Sequence, residues 1–73
     1  MNSTPTPENI QTQLQALTKG EKAFFKNDEG KVKVFFLKNG YYYITFHGYE
    51  IESITDLEAV FETVKTLLKL ETG

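Results

Sequence analysis

The chain has no cysteine, no tryptophan and no arginine, and it has one histidine and two prolines in 73 residues. Each shortage excludes something. Without cysteine there is no disulfide framework and no thiolate metal site. With His47 as the lone imidazole, an all-protein zinc site would have to be mostly carboxylate, which is unusual, so no metal and no cofactor are expected. Without arginine the best bidentate ligand for phosphate and guanine is missing. No apolar run approaches the roughly 18 residues of a membrane span. The opening stretch MNSTPTPENI has neither the basic nor the apolar region of a secretory leader. A soluble, cytoplasmic protein with no membrane partner is the expectation. The net charge of −2 is neither strongly basic nor densely acidic.

Catalytic chemistry finds little material. Ser3 lies in the N-terminal arm and Ser53 just before a helix, poor places for a nucleophile served by His47. The acid pairs Asp28-Glu29, Glu50/Glu52 and Asp56/Glu58 have local reasons at a turn tip, on a strand and at a helix start. The glycines at 20, 30, 40 and 48 come singly and form no phosphate-cradling loop. The chain is therefore read as a non-enzyme with no catalytic, cofactor or metal-binding residues.

What is present is a single small domain. A chain this short buries only about 60% of the surface its unfolded form exposes, so its apolar and aromatic residues must pack well. Residues 1–5 read as a flexible arm and 6–73 as one α+β domain. Thr6 as cap, Pro7 in the first turn and Gly20 as stop predict a helix over Pro7–Lys19, with Ile10, Leu14 and Leu17 as its apolar stripe. Strands are predicted at Lys22–Lys26, Lys31–Lys38 and Tyr41–His47. A short edge strand follows at Tyr49–Glu52, with Tyr49 and Ile51 inward. A second helix is expected from a capping box at Thr55 and Glu58, with Leu57, Val60, Phe61, Val64, Leu67 and Leu68 on one stripe. The fold expected is α-β-β-β-(β)-α, an antiparallel sheet of three or four strands packed by the amphipathic C-terminal helix.

The stretch FFLKNGYYYITF crowds rings around Asn39-Gly40, the strongest short hairpin signal. A two-residue type I′ loop there pairs Lys38 with Tyr41, Phe36 with Tyr43, Val34 with Thr45 and Val32 with His47. Paired residues share a face and faces alternate. One face then carries Phe35, Leu37, Tyr42, Ile44 and Phe46, with Lys33 its only charge. The other carries Val32, Val34 and Phe36, which are too apolar for water, beside the more mixed Tyr41, Tyr43, Thr45 and His47. Either Phe24 or Phe25 of the first strand joins each face.

In element order alone the chain resembles the double-stranded-RNA-binding domain. That family grips phosphates with a lysine cluster at the start of its final helix. Here the stretch is TDLEAVFE, which is acidic, so the resemblance implies no RNA grip.

Charge is unevenly placed. Residues 19–38 hold six of the lysines against three acids, while residues 50–73 hold six acids against two lysines. The function expected is that of a small non-catalytic interaction protein, of adaptor or inhibitor type. It would bind another protein or a second copy of itself through an aromatic sheet face that includes Phe36, Tyr41, Tyr43 and His47. The alternative is a single-stranded nucleic-acid-binding module using Lys31, Lys33, Lys38 and the same rings.

Overall fold

A computed structural model describes residues 5–70. The expected arm, apart from Pro5, and the last three residues lie outside the described residues. The elements run α1 (Pro7–Ala16), β1 (Lys22–Asn27), β2 (Gly30–Phe36), β3 (Tyr42–Phe46), β4 (Tyr49–Ile54) and α2 (Leu57–Leu67). The four strands form one antiparallel sheet in the order β1-β2-β3-β4. Both helices pack against each other and on the same side of it. The result is an α+β domain of two layers.

The helices carry the stripes their sequences announce. Ile10 and Leu14 of α1 and Val60 and Val64 of α2 are buried, as is Leu68 just beyond α2. They meet Ala23, Phe25, Val32, Val34, Tyr42 and Ile44 from the sheet. Thr6 caps α1 as expected, its Oγ1 accepting the Asn9 N–H at 3.1 Å. The helix ends at Ala16, short of Lys19, because the chain beyond it is tied to the sheet. Gly20 N–H donates to the Phe36 carbonyl at 2.7 Å, and Phe36 N–H donates to the Glu21 carbonyl at 2.9 Å. The Glu21 carboxylate accepts the Thr18 backbone N–H at 3.0 Å. Hydrogen bonding from the Thr18 backbone, then its side chain, holds this carboxyl below the ordinary range.

The start of α2 also differs by one residue. Asp56, not Thr55, is the cap, its Oδ1 accepting the Glu58 N–H at 3.2 Å. The end of α2 closes in a Schellman motif: Leu70 N–H reaches the Lys65 carbonyl at 2.9 Å and Lys69 N–H the Thr66 carbonyl at 3.2 Å. Lys69 takes the left-handed conformation that such an end requires, with φ of 54°. The Asn27 side chain donates to the Leu68 carbonyl at 2.9 Å, fastening the end of β1 to this cap.

The central hairpin departs from the expected pairing by one residue. Phe36 lies opposite Tyr42, Phe35 opposite Tyr43, Val34 opposite Ile44, Lys33 opposite Thr45 and Val32 opposite Phe46. The loop holds three residues, Lys38-Asn39-Gly40, not two. Leu37 N–H donates to the Tyr41 carbonyl at 2.8 Å, and Gly40 N–H donates to the Leu37 carbonyl at 3.0 Å. Only Gly40 has a positive φ, 94°, and Asn39 Oδ1 accepts the Tyr41 N–H at 3.1 Å. This is a type I turn followed by a glycine bulge. The two-residue loop with positive φ at both positions occurs instead between β3 and β4, at His47 (55°) and Gly48 (85°).

The shift moves every side chain of one strand to the other side relative to its partner. Val32, Val34 and Phe36 join Tyr42, Ile44 and Phe46 under the helices, giving one coherent apolar face. Phe36 stacks on Tyr42 with ring centroids 4.2 Å apart and planes 8° from parallel. The expectation of two apolar faces is thereby corrected. In β4 a bulge breaks the register: Ile44 faces Glu52, while Thr45 faces Glu50. Ile51 is the extra residue. Tyr49 and Ile51, expected inward, are exposed, and Ile54 opposite Tyr42 packs on the core instead.

Candidate binding face of the sheet

Among the described residues no helix covers the side of the sheet away from α1 and α2. Its composition follows from three cross-strand rows. Lys22, Phe35, Tyr43 and Ser53 form the row nearest the 38–40 loop. Phe24, Lys33, Thr45 and Glu50 form the middle row. Lys26 and Lys31 form the last, continued by His47, whose backbone N–H donates to the Lys31 carbonyl at 3.0 Å.

Three rings therefore lie on neighbouring strands: Phe24 on β1 is diagonal to Phe35 on β2, which lies directly opposite Tyr43 on β3. Phe35 and Tyr43 are in contact, with centroids 5.9 Å apart and planes tilted by 52°. Phe24 is 49% exposed, a large share for a phenylalanine. Lys22 lies on one side of this band, its Nζ 6.0 Å from the Phe35 ring centroid. Lys33, Lys26 and Lys31 lie on the other. Thr45 is buried although no helix covers it, so the longer side chains around it close over the middle of the sheet.

Electrostatically the face is one-sided. It carries four exposed lysines and His47 against Glu50 at the β4 edge. The ion pairs among the described residues are Lys65–Glu62 at 3.4 Å and Lys69–Glu29 at 3.7 Å, and neither involves Lys22, Lys26, Lys31 or Lys33. The first acids of α2, Asp56 and Glu58, lie on the opposite layer, so the lysine excess is local in a chain of net charge −2.

Of the residues singled out from sequence, Tyr43, Lys31 and Lys33 fall on this face together. Tyr41 is exposed at the foot of the 38–40 loop, and His47 occupies the turn at the other end. Lys38 sits in the loop itself, 3.9 Å from where a Cβ on Gly20 would lie. Phe36 does not belong here: the register places it on the covered side, against Tyr42. Sequence reasoning missed Lys22, Phe24, Lys26 and Phe35. One signal could have found them. The assumed pairing put Lys33 alone among core residues, whereas the observed one turns Lys31 and Lys33 outward and Val32 and Val34 inward.

Elsewhere the surface offers less chemistry. A groove of about 270 Å³ between the helices is lined by Gln11, Leu14, Gln15, Leu57, Glu58 and Phe61, a single titratable group among them. Among the described residues, no group of three or more histidine or acidic side chains is placed to hold a metal ion, and no helix is long and apolar enough to cross a membrane. Comparison of the chain with protein-family models, with curated proteins and with solved structures finds no match.

Proposed function

We propose that this chain is a non-catalytic binding module whose bare sheet face holds an anionic macromolecule. The observation that carries the reading is the set of four lysines, free of ion pairs, interleaved with Phe24, Phe35 and Tyr43 on one open surface. Phe24 is exposed and Phe35 and Tyr43 are half-buried, so part of each ring leaves apolar area uncovered, at about 25 cal/mol per Å². Lysines alongside add charge attraction and steer encounter. A second copy docked face to face would set lysine rows against lysine rows, which costs affinity. The geometry thus favours a different molecule over self-pairing through this surface.

The test exploits the conflict between local and net charge. A protein of net charge −2 and pI near 5.3 should pass through phosphocellulose at neutral pH if only its total charge mattered. Retention at low salt is expected, with elution as salt rises. The triple variant Lys26→Gln/Lys31→Gln/Lys33→Gln should flow through while keeping the wild-type melting temperature. Flow-through of the wild-type protein at low salt would overturn the proposal.

A further inference from the structure

We infer that the macromolecule is a single-stranded nucleic acid, laid across the Phe24–Phe35–Tyr43 band with its bases on the rings and its phosphates on the lysines. The inference rests on the anion-binding reading just given and asks what the rings add to it.

Three anionic partners would satisfy the lysines equally: a duplex, an acidic peptide and a single strand. They differ in what they offer the rings. A duplex presents its phosphates outward and keeps its bases stacked, and among the described residues the open side of the sheet carries no helix to enter a groove. Phe24 would then remain half-exposed. An acidic peptide brings carboxylates toward a band whose ring faces are themselves electron-rich, so lysines and rings would ask for different things at the same spot. Unpaired bases have apolar planar faces that stack on aromatic side chains regardless of sequence, while the linking phosphates stay at the level of flanking cations.

The layout on this sheet matches that division. The rings occupy adjacent strands, Phe35 opposite Tyr43 and Phe24 diagonal to Phe35, with Lys22 opposite Phe35 and Lys33 opposite Phe24 as cross-strand neighbours. Ser53, a small side chain, ends the first row beyond Tyr43 at the β4 edge. A platform of three rings has room for about two or three stacked bases. The absence of arginine removes the best bidentate reader of guanine, so binding should tolerate sequence.

The experiment is a fluorescence-anisotropy titration of labelled oligothymidine at low salt, beside the corresponding oligothymidine–oligoadenine duplex and unlabelled polyglutamate as competitor. The wild-type chain should bind the single strand more tightly than the duplex, and polyglutamate should compete weakly. Phe24→Leu, at an exposed position, should lower affinity for the single strand about tenfold, the effect of losing one stacked base. Its melting temperature should stay close to the wild-type value, Phe24 being half-exposed. Equal affinity for duplex and single strand, or a Phe24→Leu variant that binds oligothymidine as the wild type does, would overturn the inference and leave the anion-binding reading standing. Retention on phosphocellulose with strong competition by polyglutamate and no oligothymidine binding would also overturn it, in favour of an acidic protein. Failure of the wild-type chain to bind either phosphocellulose or any oligonucleotide would remove both.

Discussion

The two faces of this sheet are built from the same strands and from overlapping residue types, yet they do opposite things. Beneath the helices lie Ala23, Phe25, Val32, Val34, Tyr42 and Ile44, all buried. On the other side, one residue along in each strand, lie Phe24, Lys33, Phe35, Tyr43 and Thr45. Phenylalanine and tyrosine occur on both. Parity along the strand therefore decides which ring is core and which is surface, and parity across the sheet is set by the turns. The contrast teaches that a count of aromatic residues is not a count of core residues.

The sharpest way to break that contrast is to truncate neighbouring rings. Phe25 is 2% exposed and Phe24 is 49% exposed. Phe25→Ala should cost about 3–5 kcal/mol, the range for emptying a buried phenylalanine site. For a 73-residue domain, whose total stability by general proportion is about 4–11 kcal/mol, that approaches complete unfolding. Phe24→Ala should cost less than about 1 kcal/mol, as surface substitutions do. Urea denaturation of the two variants reads the difference directly. Similar midpoints would mean that the faces are wrongly assigned.

A smaller effect is expected where the two faces are pinned together at the β1–β2 turn. A Cβ on Gly30 would sit 2.5 Å from His47 Nε2 and 2.6 Å from Phe46 Cε1. His47 can swing into solvent, but the Phe46 ring packs against the core and can give way only by disturbing it. Gly30→Ala should therefore cost about 1–3 kcal/mol by overpacking, added to the strain of its own φ of 157°. At Gly48 a Cβ meets nothing within 4 Å, so Gly48→Ala carries only the strain of its φ of 85°, about 1 kcal/mol. The ranking of the two melting temperatures, Gly30→Ala below Gly48→Ala, checks that the close approach adds to the backbone strain both sites share.

Much of this architecture was legible in the residues. The Val60-Val64-Leu68 stripe of α2 has the helical period and no competing reading, and Thr6-Pro7 marks the start of α1 by cap chemistry alone. The strands are marked by β-branched and aromatic residues between glycines. The register was not legible locally, because Asn39-Gly40 admits two closures one residue apart, both with a glycine at positive φ. What chose between them is tertiary: only the three-residue loop puts Val32, Val34 and Phe36 on the same side as Tyr42, Ile44 and Phe46, where α2 can cover them all. The candidate site inherits that dependence. Tyr43 was assigned to the open face under either pairing, whereas Phe35 and Lys33 arrived there only with the observed one, and Phe36 left it. The helix ends shifted for a similar reason. The hydrogen bonds that Phe36 accepts from Gly20 and donates to Glu21 belong to the packed chain and have no counterpart in propensity.

That choice of loop can itself be tested with an expected effect close to nothing. Deleting Lys38 leaves Leu37 and Tyr41 joined by Asn39-Gly40 alone, the pair best suited to a two-residue type I′ loop. Leu37 still lies opposite Tyr41, and every pair below it keeps its partner, so both faces are preserved. The unfolding free energy should change by less than about 1 kcal/mol, the scale of a turn replacement with compatible backbone angles. Val34 and Ile44 form a non-hydrogen-bonded pair, whose Cα atoms approach to about 4.5 Å. A strong Hα–Hα nuclear Overhauser effect between them should therefore be present in the parent chain and persist after the deletion. Strands paired with Lys38 opposite Tyr41 would instead bring Val34 to Thr45 in the parent. In that case the deletion would remove a strand residue and force a new register, with a lowered melting temperature and a changed Overhauser pattern. Because the lysine and ring rows exist only in the register that the deletion preserves, the shortened chain should also be retained on phosphocellulose as the parent is. Loss of retention with an unchanged fold would show that Lys38, and not the sheet face, supplies the anion contact.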